Sequence, residues 1–201
     1  MRWLIVLPFD RPGHMGVDFA EALAGLGHDV RTFAYRRENV LYKNTGLKAL
    51  YQRWIAGRLE RVGLRWRPQL TLVIKGGPLG PEVIARFRRR VGSRVLNVFP
   101  DNPLVMIPFE CIEAYDVFFT KERYALGALA QAGLRNLHYL PLYCVPSQHH
   151  PVALTDAERA RFGTPLSFVG SCYPYRERFM RQLAGYPLRL WGGGWTRARD
   201  P

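Results

Sequence analysis

Arg2-Trp3-Leu4-Ile5-Val6-Leu7-Pro8, followed by Phe9-Asp10-Arg11-Pro12-Gly13-His14-Met15-Gly16, is the stretch on which the fold turns. A short apolar run closed by proline has the form of a central parallel strand buried on both faces. Beyond the loop, Val17, Ala20, Leu23, Ala24 and Leu26 recur at helical spacing, and Gly27 sits where a carboxy-terminal cap belongs. His28–Ala34 predicts the next strand, so strand, helix and strand together form a βαβ unit of ordinary size.

Outward from this unit the plan repeats. Leu47, Leu50, Tyr51, Trp54, Ile55, Leu59 and Val62 keep the helical period to about Arg65, with arginines between them. Leu70–Ile74 predicts a strand running into Lys75-Gly76-Gly77-Pro78-Leu79-Gly80-Pro81, and Pro81 suits the first position of a helix over Glu82–Val91. Strand Arg94–Phe99, loop Pro100–Pro103, strand Asp116–Thr120, helix Glu122–Ala132 and strand Leu137–Leu140 follow. This alternation predicts an α/β, Rossmann-like parallel sheet over residues 1–145. Pro141–Pro151 has three prolines and no periodicity, so residues 146–164 read as a linker with a short helix. Residues 165–201 give strand Leu166–Gly170, helix Tyr175–Ala184 and strand Leu188–Trp191. Two strands are too few for an independent sheet, so an incomplete second Rossmann-like domain is expected, cut off within the chain.

Composition narrows the class. The 201 residues are 48 % hydrophobic and 22 % charged, which excludes a disordered chain. No apolar run approaches the roughly 20 residues of a membrane helix, and the start lacks a signal-cleavage site, so the expected compartment is the cytoplasm. Cys111, Cys144 and Cys172 are odd in number and too far apart for a CxxC pair, and are expected to be buried thiols. The net charge of +13 invites an anionic partner: nucleic acid, a nucleotide or an acidic membrane surface. Of the 29 basic residues 25 are Arg, a skew that GC-rich coding produces without selection for binding. The Arg86-Phe87-Arg88-Arg89-Arg90 run is accompanied by no RNP, helix-turn-helix or zinc-finger signature, and its helix must bury Val83, Ile84 and Phe87. Nucleic acid is therefore disfavoured. His149-His150 lacks the i, i+4 spacing of a helical metal site.

The order of motifs resembles glycosyltransferases of the GT-B fold, built from two facing Rossmann-like domains. More narrowly, Phe99-Pro100-Asp101-Asn102-Pro103, Tyr115-Asp116-Val117-Phe118-Phe119-Thr120-Lys121, Leu140-Pro141-Leu142, Leu166–Ser171 with Tyr175-Arg176, and Leu190-Trp191-Gly192 with Trp195 follow one another in order. In these motifs the chain resembles the CgeB-like (spore maturation protein) glycosyltransferase family. The resemblance implies a cytoplasmic sugar transferase whose amino-terminal domain faces the acceptor and whose carboxy-terminal domain holds most of the nucleotide-sugar. The later helices of that second domain, which usually hold the base, ribose and diphosphate, are not represented among these residues.

Ligands of open parallel sheets bind outside the carboxyl ends of the strands, which selects the candidate residues. Gly13 and Gly16 permit close backbone approach beside a helix amino-terminus, and His14 can act as general base on an acceptor hydroxyl. Lys75, Gly76 and Gly77 can meet a phosphate or a carboxylate, yet the order is not that of a Walker loop, and a plain strand-to-helix turn is the reading that Gly-Pro turns favour. Asp101 is the second candidate base, with Asn102 offering hydrogen bonds to sugar hydroxyls; an Asx turn is the alternative for both. On the donor side stand Gly170, Ser171, Tyr173, Arg176, Gly192 and Gly193, where a guanidinium near a helix start can pair with phosphate. Arg176 also suits a solvated helix face shared with Arg178 and Arg181. No DxD-like aspartate pair occurs, so no metal is called for, and the nucleotide-sugar is a substrate, with no further cofactor expected.

Three functions remain open on this reading. One is a glycosyltransferase, or its amino-terminal portion, moving a sugar from a nucleotide-sugar to an unknown acceptor hydroxyl. Another is a non-catalytic truncated module completed by a second chain. The third is a basic nucleic-acid-binding α/β protein.

Overall fold

The computed structural model describes residues 1–36 and 45–197. They divide into two units, Met1–Val145 and Pro146–Pro201. The first contains β1 (Arg2–Leu7), α1 (Met15–Gly25), β2 (Asp29–Ala34), α2 (Lys48–Trp66), β3 (Leu70–Ile74), α3 (Pro81–Val91), β4 (Arg94–Phe99), α4 (Pro103–Met106), α5 (Phe109–Glu113), β5 (Val117–Thr120), α6 (Arg123–Gln131) and β6 (Leu137–Tyr139).

The six strands form one parallel sheet in the order β2-β1-β3-β4-β5-β6. Leu4, Ile5, Val6 and Leu7 are wholly buried, as an apolar run on both faces of a central strand requires. Right-handed crossovers then decide which helix covers which face. The step from β1 to β2 runs opposite to all later steps toward β6. Accordingly α1 packs through Met15, Phe19 and Leu23 on Ile5, Leu7, Leu72 and Ile74. Helices α2, α3, α5 and α6 bury Tyr51, Ile55, Leu59, Ile84, Phe87, Ile112 and Leu129 on the other face, against Leu4, Val6, Val73 and Val95.

Helix boundaries follow local chemistry. At the end of α1, His28 N–H donates to Leu23 and Gly27 N–H to Ala24, with Gly27 at φ +80°: a Schellman closure. Pro81 stands at the first turn of α3 and Gly92 closes it in the left-handed region. Between the loop expected over Pro100–Pro103 and Asp116, where the sequence pattern predicts no element, lie the short helices α4 and α5; the Asn102 side chain caps α4 by accepting from Leu104 N–H at 3.0 Å. Strand β5 starts at Val117, one residue later than expected, because the Asp116 carboxylate accepts from Val95 N–H and binds Arg88.

The second unit is sparse. Helix α7 (Asp156–Phe162) opens with a capping box between Thr155 and Glu158, and β7 (Leu166–Val169) pairs in parallel with β8 (Leu188–Trp191) across α8 (Pro174–Arg181). Among its described residues, Met180 is the sole buried hydrophobic side chain. The cysteines correct an expectation: Cys144 is exposed, and Cys111 and Cys172 are half-buried, since all three lie outside the strands that make the core.

Gly16 sets the spacing of α1 on the sheet, because a Cβ there would lie 2.5 Å from Leu7 Cβ. Nothing lies within 4 Å of such an atom at Gly57, in the middle of α2. Gly16→Ala is expected to destabilise the protein by about 1–3 kcal/mol through overpacking. Gly57→Ala is expected to stabilise it by up to about 1 kcal/mol through helix propensity. Urea denaturation of the two variants against the parent checks the opposite signs.

Candidate functional site

In a sheet ordered 2-1-3-4, crossovers leave β1 and β3 for opposite faces, and a crevice opens at their carboxyl ends. Here that edge is formed by the loop after β1, ending at His14, the loop Lys75–Gly80 after β3, and Pro100–Asn102 after β4. The candidates named from the first unit all belong to it or to the first turn of α1.

Lys75 and Asp101 come together. Lys75 Nζ lies 2.6 Å from Asp101 Oδ2, with both side chains about one-third exposed, at 37 % and 36 %. Lys75 has φ +63°, a left-handed conformation that a residue with a Cβ adopts only under constraint. Its N–H donates to Val98 O, and its own carbonyl accepts from Asn97 Nδ2 at 3.2 Å. Gly76, at φ +91°, continues the turn; a Cβ there would sit 2.5 Å from the Tyr115 hydroxyl. Gly76 N–H donates to Ile74 O and also reaches the Tyr35 hydroxyl at 3.3 Å, which itself donates to Ile74 O at 2.9 Å. Tyr51 in turn donates to Tyr35 O. Thus three buried tyrosines and a buried asparagine support the turn from below.

Burial raises the Tyr115 phenol well above its ordinary range, opposed in part by its hydrogen bond with Asn97, so it remains a neutral hydroxyl at working pH. Asn97 Oδ1 is buried without a hydrogen-bond partner. These supporting residues were not read from the sequence. The available signal was Asn97 itself, a lone amide in the apolar run Val95-Leu96-Asn97-Val98-Phe99.

His14 is the N-cap residue of α1, but its ring makes no capping bond; it leans on Phe9 with ring centroids 5.5 Å apart. Gly13 takes φ +76° in open space, Gly77 is likewise open, and Gly16 lies buried in the helix against Leu7. Asn102 uses its carbonyl oxygen to cap α4, which leaves its amide N–H groups as donors. On α1, Asp18 accepts from the Tyr143 hydroxyl at 2.9 Å, and burial with that carboxylate raises the Tyr143 phenol.

In the second unit the two strand-end loops are joined. Gly170 N–H donates to Trp191 O, Cys172 N–H to Gly193 O and Trp195 Nε1 to Gly170 O at 2.8 Å. Gly192, at φ +133°, passes so near Gly170 that a Cβ would lie 2.4 Å from its carbonyl oxygen. Arg176 is half-buried rather than freely solvated. Its Nη1 donates to Ser171 O at 3.0 Å, and its guanidinium carbon lies 5.1–5.7 Å from the rings of Tyr173, Phe168 and Tyr175. Gly170, Ser171, Tyr173, Arg176, Gly192 and Gly193 therefore form one cluster. Among the described residues, no group of three or more His, Cys, Asp or Glu side chains could hold a metal ion.

The fold thus defines a Rossmann-like α/β protein with strand-end loops as its candidate site. Among solved structures it is similar to Phytolacca americana UGT2, determined in complex with UDP-2fluoro-glucose and pterostilbene, at a TM-score of 0.51 and 9 % identity. The match covers 94 % of this chain and 65 % of that one. At that identity the likeness concerns the fold alone. No protein-family model and no curated protein sequence matches the chain.

The turn at Gly76 supplies a test of the supporting network. Gly76→Ala is expected to destabilise by about 1–3 kcal/mol, through its positive φ and the clash with the Tyr115 hydroxyl. Adding Tyr115→Phe removes the clashing oxygen, so the double variant is expected to recover part of that loss. A double-mutant cycle by chemical denaturation should show a coupling of at least about 0.5 kcal/mol.

Proposed function

We propose that the chain is a glycosyltransferase, or the amino-terminal portion of one, that moves a sugar from a nucleotide-sugar donor to an acceptor hydroxyl in the cytoplasm. The observation that carries this reading is the pair of unlike strand-end sites. One offers a carboxylate, an ammonium and an imidazole; the other offers a fixed guanidinium beside a glycine-rich loop. Glycosyl transfer needs those two chemistries: a base for the nucleophilic hydroxyl, and positive or dipolar groups for the departing diphosphate. The fold likeness to a protein solved with a UDP-sugar supports it. So do the sequence motifs shared with CgeB-like glycosyltransferases, the assignment we favour. Three free thiols suit a reducing compartment, and among the described residues no helix is long and apolar enough to cross a membrane.

In this reading His14 or Asp101 takes the acceptor proton. Lys75 fixes the Asp101 carboxylate, Asn102 orients the sugar, and Gly13 and Gly77, with open space around them, admit it, while Gly16 and Gly76, read from the sequence as part of the same site, are buried and set the packing beneath these loops. Arg176, assisted by Ser171, Tyr173 and the loops at Gly170 and Gly192-Gly193, faces the diphosphate. No metal or cofactor is assigned. A second reading, a non-catalytic module completed by another chain, is favoured by the second unit, whose described residues form a two-stranded sheet and bury the one apolar side chain of Met180.

Calorimetric titration with a panel of nucleotide-sugars tests the proposal. Binding is expected, weakened about 10–100-fold by Arg176→Ala, the range for losing a hydrogen bond to a charged group. His14→Ala or Asp101→Asn is expected to reduce sugar transfer at least about tenfold while leaving donor affinity within about twofold. Donor binding without any transfer would select the module; absence of binding would overturn both the donor site and the enzyme.

A further inference from the structure

The solvent side of α2 is a stripe that the proposed reaction does not use. Successive residues in a helix turn by about 100°, which places Leu50, Arg53, Gly57, Arg61 and Leu64 opposite the buried Ile55 and Leu59, with Trp54, Arg58 and Arg65 along one edge of the same stripe. From Leu50 to Arg65 the stripe runs about 22 Å. It carries four arginines and no carboxylate. The one acidic residue of the helix, Glu60, borders the stripe beside Arg53, is 8 % exposed and is held by Arg86 and Arg90 of α3. Arg53, Arg61 and Arg65 are exposed, and Arg86, Arg89 and Arg90 extend the positive surface onto α3.

The apolar members set this stripe apart from a merely solvated face. Leu50 is 54 % and Leu64 39 % exposed, about four helical turns apart, with Arg53 one turn after Leu50 and Arg61 one turn before Leu64. Gly57, with nothing within 4 Å of a Cβ position, keeps the middle of the stripe low. Trp54 is already engaged, with Arg58 4.9 Å above its ring and Tyr51 5.7 Å to its side.

We propose that this face of α2 docks the protein on an anionic lipid surface, with Leu50 and Leu64 entering the boundary between headgroups and acyl chains and the arginines meeting lipid phosphates and carboxylates. A basic amphipathic helix with exposed aliphatic residues binds such an interface by both terms, apolar burial and attraction to anionic lipid. Charge complementarity selects the partner: the arginines of the stripe gain from a negative surface and nothing from a neutral one, where two leucines alone give only weak binding. A nucleic acid is less well matched. Single strands are bound by free aromatic platforms, and here the tryptophan of the stripe is covered while its open side chains are aliphatic.

Vesicle co-sedimentation of the 201-residue chain tests this. Binding to phosphatidylcholine vesicles containing about one-third phosphatidylserine is expected, with little binding to pure phosphatidylcholine, and it should weaken steeply as salt is raised. Arg53→Glu, Arg61→Glu and Arg65→Glu combined are expected to weaken partitioning at least about 100-fold, at roughly fivefold or more per charge. The same three positions changed to Gln give a milder variant for which a retained thermal transition shows folding. Leu50→Ser with Leu64→Ser should cost about tenfold with the charges intact. Equal binding to neutral vesicles overturns the proposal, as does parental binding by the arginine variants. Displacement by an oligonucleotide, together with no effect of the leucine changes, also overturns it, in favour of a nucleic-acid face.

Discussion

Strand β1 has a parallel neighbour on each side, and the chain leaves it for one of them and returns to reach the other. That constraint generates the rest of the first unit. Two parallel neighbours bury Leu4–Leu7 completely, which forces an unbroken apolar run. Right-handed crossovers then send α1 to one face and α2 and α3 to the other, so the chain has to part at the carboxyl ends of β1 and β3. The crevice is a consequence of topology before any side chain is considered. Gly16 follows from the same demand, because α1 must lie against Leu7 closely enough to cover Ile5, Leu7, Leu72 and Ile74 on its face of the sheet.

What topology leaves open, the buried polar groups close. A left-handed lysine costs of order 1 kcal/mol or more and persists where its surroundings over-determine it. At Lys75 the surroundings are specific: Val98 O takes its N–H, Asn97 takes its carbonyl, and Gly76 is fitted over Tyr35 and Tyr115. The result directs the ammonium toward Asp101 at the end of the neighbouring strand. Asn97 costs the sheet a fully buried amide with one unpartnered oxygen. Its return is the position of a charged pair at the crevice.

Most of the architecture was legible because parallel strands buried on both faces announce themselves as apolar runs, and because Gly27 and Pro81 mark helix ends by backbone chemistry. Helices α4 and α5 were not, since four and five residues are too short to show a period. Lys75 and Asp101 were each legible as strand-end residues, but their pairing is not written in their separation of 26 positions; it follows from β3 and β4 being neighbours. The tyrosines were invisible for a different reason. A buried tyrosine in a core looks like any aromatic until its hydroxyl is seen to hold a particular backbone amide, as at Tyr35.

The charge of +13 separates into parts with different chemistry once it is placed on the fold. Lys75 and Arg88 are matched by carboxylates, Arg86 and Arg90 share Glu60, and Arg176 is held among aromatic rings. These are positioned groups. The arginines on the outer face of α2 have no carboxylate on their stripe and stand beside exposed leucines. Codon bias can supply arginines, but it does not set Arg53 and Arg61 on a face with exposed leucines whose one bordering carboxylate, Glu60, is buried and paired with Arg86 and Arg90. The strand-end crevice and the basic stripe therefore arise from separate features of the same sheet: the crevice from where the crossovers part, the stripe from the side of α2 that the sheet does not need.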